Sequence, residues 1–258
     1  MKKSYFKRIF AFLLAVLLSL TNLTGTSMTV YATGESGDST QTTNGSWTDY
    51  VAEAFDSGEG TETSPYIIKT ADQLALLAKN AVTYKSSYFK VEATEIDLSA
   101  HEWVPISEFS GTFDGNGVSI EGLKIGTAES PYSTKGKVGL FGYLNDGTVK
   151  DLSVEVAIYT NGDTSQDAGS LPHTVGAIAG ECKSAVVDGC TVTGSIICSG
   201  SGYQQLRVGG VAGTAIKGTI ISNCINQATL QADGNGVNTM AGGLVAYMYD
   251  GSETKPLP

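Results

Sequence analysis

One unit returns four times between Val138 and Tyr249, and no other feature limits the fold so tightly. The copies open as VGLFGYLNDGTVKDLSV at Val138, VGAIAGECKSAVVDGCTV at Val175, VGGVAGTAIKGTIISNCIN at Val208 and AGGLVAYM at Ala241. Their starts lie 37, 33 and 33 residues apart. Self-similarity at a near-constant spacing is the mark of a solenoid, in which each unit buries its apolar side only by stacking on the next. Within a copy, apolar residues stand singly or in pairs between Gly, Ser, Thr and Asn, with no helical period. Such runs read as short strands and turns. The expected fold is mostly β: a single-stranded, parallel, right-handed β-helix. Paired small residues (Gly139, Gly142; Gly176, Gly180; Gly209, Gly210, Gly213; Gly242, Gly243) fall where the backbone turns sharply or neighbouring coils approach. Val, Leu, Ile and Ala between them fill the interior.

Upstream, the pattern predicts one helix over about residues 70–83, with Thr70 and Gln73 as a reciprocal capping box and Leu74, Leu77, Ala78 and Ala81 on one face. Ahead of a solenoid, such a helix covers the open first coil, whose edge would otherwise pair with other chains. Strand-like runs follow at Tyr88–Leu98. Trp103 to Ile106, broken by Pro105, reads as an edge or irregular strand. Asp114-Gly115 and Asn116-Gly117 are strong turn pairs, and Gly111 to Ile125 reads as an earlier coil. Its EGLKI, at 121–125, aligns with KDLSV at 150–154 and DGCTV at 188–192. The solenoid domain thus spans 47–249, with coils from 88. Loops at 160–174, 199–207 and 231–240 recur at one phase and emerge on one side, the first place to expect a binding surface.

The ends bear on location. Lys2, Lys3, Lys7 and Arg8 precede an apolar run at Ile9–Leu20, and Val30-Tyr31-Ala32 fits a cleavage site. Residues 1–32 therefore read as a secretory signal peptide, too short in its apolar part to favour spanning a bilayer. No integral membrane contact is expected after cleavage. Residues 33–46 read as a flexible lead-in. The fourth copy halts after eight residues, before a polar tail at 250–258. That predicts either a monomer or part of a longer chain.

Without residues 1–32 the chain keeps 12 basic against 26 acidic residues, and Arg207 is its one arginine. Nucleic acid is excluded as a partner, because it demands a basic stripe, and a groove for a polyanion meets the same objection. Cys182, Cys190, Cys198 and Cys224 contain no Cys-x-x-Cys. Cys190 and Cys224 hold matching places in successive copies, which fits a buried ladder of small side chains or a disulfide.

No cofactor motif occurs. His101-Glu102 starts like a zinc-protease motif, but Pro105 stands where the second histidine belongs. His101 and His173 read as surface residues. Asp151 and Asp188 occupy matching places and form the candidate carboxylate pair of a polysaccharide-cleaving β-helix; the plainer reading puts both on a solvent-facing turn. Asp114 and Asn116 are weak calcium candidates. Trp103, Tyr132, Tyr143, Tyr203, Tyr247 and Tyr249 could stack on sugars but are dispersed.

The unit resembles the GLUG-motif family of bacterial secreted and surface proteins. The hallmark is Gly139-Leu140-Phe141-Gly142, with divergent forms at Gly176–Gly180 and Gly209–Gly213. Pro65-Tyr66-Ile67-Ile68, Gln73–Ala78, Ile96-Asp97-Leu98, Trp103-Val104-Pro105-Ile106 and Phe109–Gly117 extend the likeness, which is similar to the region preceding the catalytic domain of some immunoglobulin-A-cleaving metalloproteases. Ser107 departs from the glycine usual after the Trp-x-Pro-Ile run. The resemblance implies an exported repeat module that binds or spaces, without catalysis. An extracellular glycan or protein is the expected partner, and a polysaccharide-active glycosidase or lyase is the alternative.

Overall fold

The structure is a computed structural model that describes residues 45–133, 136–161, 172–199 and 205–250. Residues 1–32, read above as a signal peptide, most of the expected lead-in, residues 251–258 and much of the first two inter-repeat loops lie outside these residues. What is described is a β-solenoid. Its strands stack in three parallel sheets. The long sheet runs through Tyr66–Ile68, Tyr88–Val91, Thr112–Ile125, Thr148–Thr160, Val186–Asp188 and Ile220–Ser222, with Glu95–Asp97 and Thr191–Ser199 beside that path. A second sheet stacks Lys137–Val138, His173–Val175, Gln205–Gly209 and Asn238–Gly242. A third stacks Phe141–Asn145, Ala179–Lys183, Ala212–Ile216 and Val245–Tyr249.

Parallel pairing brings equivalent positions into lanes. Phe89, Phe113, Val149, Val187 and Ile221 form one interior lane. Ile106, Phe141, Ala179, Ala212 and Val245 form another. Phe89, Phe113, Ile106, Phe141, Val149, Val187, Ala179 and Ala212 are at most 1% exposed. Fully burying each large apolar chain favours folding by about 1.5–3 kcal/mol. The repeated glycines let the second and third sheets meet. A Cβ on Gly180 would sit 2.5 Å from Val138 N, and one on Gly213 2.6 Å from Val175 N. Leu140 and Phe141 of the Gly-Leu-Phe-Gly corner are fully buried.

The helix is shorter than the pattern predicts. Helix α1 (Ala71–Lys79) ends at Asn80, and a separate turn α2 (Ala81–Tyr84) follows. Leu74, Ala75 and Leu77 of α1 are fully buried in the same core as the coils. The reciprocal capping box does not form. Gln73 Oε1 accepts from Lys69 N at 2.7 Å, one residue before the cap, while the Thr70 hydroxyl donates to Asp72. Asp72 Oδ1 accepts the Gln73 N–H at 3.0 Å, the donor that the threonine oxygen would have capped.

Three further expectations need correction. Asp114–Gly117 is not a turn between strands but a bulge inside the continuous strand Thr112–Ile125, with Asn116 (φ 54°) and Gly117 (φ 76°) left-handed. That bulge and a second one shift the register, so Leu152 aligns with Val118 and Leu123 with Val156. The EGLKI segment is therefore out of phase with KDLSV, whereas KDLSV and DGCTV do align. Trp103–Ile106 forms no strand. Glu102 and Ile106 make single bridges, and the buried Trp103 indole donates to Leu140 O at 3.1 Å. The loop at 231–240 contracts to 234–237, since strands occupy Thr229–Asp233 and Asn238–Gly242.

Candidate functional site

The proposed carboxylate pair does not match in the stack. Asp188 aligns with Lys150 and Ser222. Asp151, left-handed at φ 51°, stands one residue further on, beside Gly189. The two look equivalent because each lies 13 residues after its copy's opening valine; the second copy has one residue more at its corner, where Ala179 answers Phe141, and every later pairing shifts by one. Asp188 accepts from Ser222 Oγ at 2.7 Å and Asn223 Nδ2 at 2.8 Å, and these bonds hold its carboxyl below the usual range. A general acid needs the opposite shift. Asp188 thus belongs to an outer ladder, Asp114–Lys150–Asp188–Ser222, in which Lys150 Nζ lies 2.6 Å from Asp114 Oδ2.

The polar groups of Asp114 and Asn116 are engaged within the protein. Asp114 Oδ1 accepts from Asn116 N at 2.8 Å and its Oδ2 faces Lys150, while Asn116 Nδ2 donates to Val91 O at 3.1 Å. Among the described residues no group of three or more His, Cys, Asp or Glu is placed to hold a metal. Neither histidine is a free surface group. His101 stacks on Tyr50 at 3.8 Å and meets Trp47 edge-on. His173 is 1% exposed, with Nδ1 3.1 Å from Gly136 O and Nε2 2.9 Å from Thr160 Oγ1. Burial pushes its pKa down to about 4.

What the stack does assemble is a seam where the second and third sheets meet. One lane of the second sheet carries Lys137, Thr174, Arg207 and Met240. One lane of the third carries Tyr143, Glu181, Thr214 and Tyr247. Lys137 Nζ sits 3.6 Å from the Tyr143 ring centre and 3.0 Å from Glu181 Oε1. The Arg207 guanidinium lies 3.9 Å from the Tyr247 ring centre and donates to Thr214 Oγ1 at 3.2 Å and to Gln205 Oε1 at 3.0 Å. Each cation is thus spread over an aromatic face and fixed by polar partners. Burial and the nearby Glu181 and Glu108 charges push the Tyr143 hydroxyl up to about 12, so it stays neutral and can donate. Tyr249 follows at 5.5 Å between ring centres from Tyr247. Beside it opens a pocket of about 270 Å³ lined by Ala215, Ile216, Gly218, Thr219, Met248, Tyr249 and Asp250.

Of the dispersed aromatics, the stack brings Tyr143, Tyr247 and Tyr249 to this seam and its end. Trp103 is buried in the core and Tyr132 is half-buried elsewhere; Tyr203 lies outside the described residues. Lys137, Glu181, Arg207 and Thr214 were missed as partners. Their signal was positional: Lys137, Thr174 and Arg207 each stand directly before a copy's opening valine. Cys190 is buried and Cys224 half-buried at matching places on successive coils.

Comparison with known proteins gives two partial likenesses. The chain is 32% identical over 150 residues to a Gly-rich membrane protein of Evansella cellulosilytica, covering 54% of this chain and 15% of that protein. It is 28% identical over 188 residues to halomucin of Haloquadratum walsbyi, covering 69% of this chain and 2% of that protein. The chain therefore spans a small part of the length of the curated relatives it matches. No protein-family model matches it. No solved structure matches it.

Proposed function

We propose that this chain is a non-catalytic module of an exported, surface-type protein and that it binds glycans along the seam of the second and third sheets. The observation that carries the proposal is the register that gathers Tyr143, Tyr247 and Tyr249 on one flank, with Lys137 paired to Glu181 and Arg207 held against the Tyr247 ring. Half-exposed tyrosines offer apolar faces to sugar C–H groups and hydroxyls to sugar oxygens. Lys137 is paired with Glu181, and Arg207 is held by neutral groups, so the seam adds hydrogen-bond donors and acceptors with one unbalanced positive charge in a strongly acidic chain, which suits neutral sugars better than polyanions. Export rests on the positive and apolar N-terminal segment, and surface placement is supported by relatives named as a membrane protein and a halomucin. Kinship with GLUG-motif proteins, through Gly139–Gly142 and its variants, is part of the same proposal.

The test is binding of the purified chain to an array of glycans and mucins, with calcium and with chelator. Saturable binding to one glycan class, weakened about tenfold by Tyr247→Ala and unaffected by Lys79→Ala on the distant helix, is the expected result. Binding indifferent to Tyr247 and Tyr249 would move the site away from the seam. Release of sugar fragments would replace the binding reading with the polysaccharide-active one.

A further inference from the structure

The stacking register brings together only two of the four thiols. Cys182 lies between Leu144 and Ala215, and Cys198 between Thr160 and Ala232. Cys190 stands between the aligned pairs Asp188–Ser222 and Thr191–Ile225, so its neighbour on the next coil is Cys224. Each follows a left-handed residue, Gly189 at φ 64° and Asn223 at φ 51°. Their Cα–Cβ bonds therefore leave equivalent turns in the same sense. Adjacent strands stack about 4.8 Å apart, within the Cα separation of roughly 4.4–6.8 Å that a disulfide accepts. Cys190 Sγ donates to Asp188 O at 3.5 Å, and Cys224 Sγ donates to Ser222 O at 3.1 Å and, across to the coil of Cys190, to Val187 O at 3.6 Å.

We infer that Cys190 and Cys224 form a disulfide that staples the coil carrying Ile220 and Ile225 to the coil before it. This goes beyond the glycan-binding proposal and does not depend on it. The staple falls where the stack needs one. Ile220 and Ile225 are 56% and 53% exposed, whereas Val186, aligned with Ile220 on the preceding coil, packs between two coils.

The chemistry selects Cys224 as the attacking thiol. Cys224 is half-buried, and the neighbouring Cys190 draws its thiol below the usual range. The lowered value raises its share of thiolate, the form that attacks a disulfide. Burial pushes Cys182 and Cys198 up to about 12, which keeps them protonated, and Cys190 is raised as well by Cys224 and burial, so it reacts second, once Cys224 carries the mixed disulfide. The oxidant is a low-molecular-weight disulfide. Cys224 thiolate attacks one of its sulfurs, forming a mixed disulfide and expelling one thiolate. Cys190 loses its proton to solvent and attacks Cys224 Sγ, expelling the second. Two thiols and one small disulfide become one protein disulfide and two small thiols.

The experiment incubates the full chain with glutathione disulfide, alkylates remaining thiols under denaturing conditions and maps peptides by mass spectrometry. The expected result is loss of two hydrogen atoms, one linked peptide pair holding Cys190 and Cys224, and alkyl groups on Cys182 and Cys198. The thermal midpoint should rise by about 5 °C or more and fall back on reduction. In Cys190→Ser, Cys224 should instead keep a glutathione adduct. If that variant does not fold, the map of the parent chain decides alone. Four alkylated cysteines, a glutathione that persists on Cys224 of the parent, or a link through Cys182 or Cys198 would overturn the inference.

Discussion

The two ends of the solenoid solve the same packing problem with different materials. At the first coils, Phe55, Tyr66, Tyr84, Phe89, Phe109, Phe113 and Phe141 pack ring against ring, with centroids 4.8 to 6.5 Å apart. Helix α1 adds Leu74 and Leu77 to the same core. At the last coils the same lanes hold Val187, Ile221, Ala212 and Val245, and Ile220, Ile225, Leu244 and Met248 are exposed. A lane that narrows from phenylalanine to alanine keeps its hydrogen-bond ladder but loses buried area with each step. Stability in a one-dimensional stack is a sum over neighbours, so the aromatic end should hold and the aliphatic end should open first.

The largest expected effect tests this directly. Phe113→Ala should cost about 3–5 kcal/mol, while Ile221→Ala, in the same lane at a half-covered position, should cost about 1 kcal/mol. Urea midpoints measure both, and equal losses would abolish the contrast. Next in size is acid. His173 has its pKa lowered to about 4 against 6.5 unfolded, so the unfolded chain binds the extra proton first as pH falls. The stabilisation from keeping it neutral is complete above about pH 6.5 and lost progressively down to about pH 4, amounting to about 3 kcal/mol. Hydrogen exchange across that window should show Val245–Tyr249 opening before Thr112–Ile125. His173→Gln should flatten the dependence; a slope unchanged in that variant would assign it elsewhere. The smallest effect is at the exposed edge, where Ile220→Lys should shift stability by no more than about 0.5 kcal/mol yet reduce self-association by light scattering.

Much of the fold was legible because stacking leaves a periodic trace. Val138, Val175 and Val208 and the glycines after them mark one corner of every coil, and Leu74, Leu77 and Ala81 mark the buried side of the helical segment. The site was less legible, for two reasons. The second copy has one residue more at its corner, where Ala179 answers Phe141, so Asp151 and Asp188 look equivalent in the string while Asp151 in fact meets Gly189. Partners also come from other coils. Nothing near His173 in the chain announces that Gly136 and Thr160 will enclose it, and nothing near Arg207 announces Tyr247. Reading the residue before each opening valine as a column would have exposed the seam.

The stacking geometry also sets how the molecule answers a pull. Each later coil uses 33 residues, as the alignment of Ala179 with Ala212 and of Ala212 with Val245 records, yet lengthens the rod by only about 4.8 Å. Stretched out, the same residues reach roughly 110 Å. Tension applied along the axis would therefore peel coils from the weakly packed end one at a time, each releasing roughly twenty times its folded rise. A Cys190–Cys224 link would hold back the length between those two residues and set where the unwinding pauses.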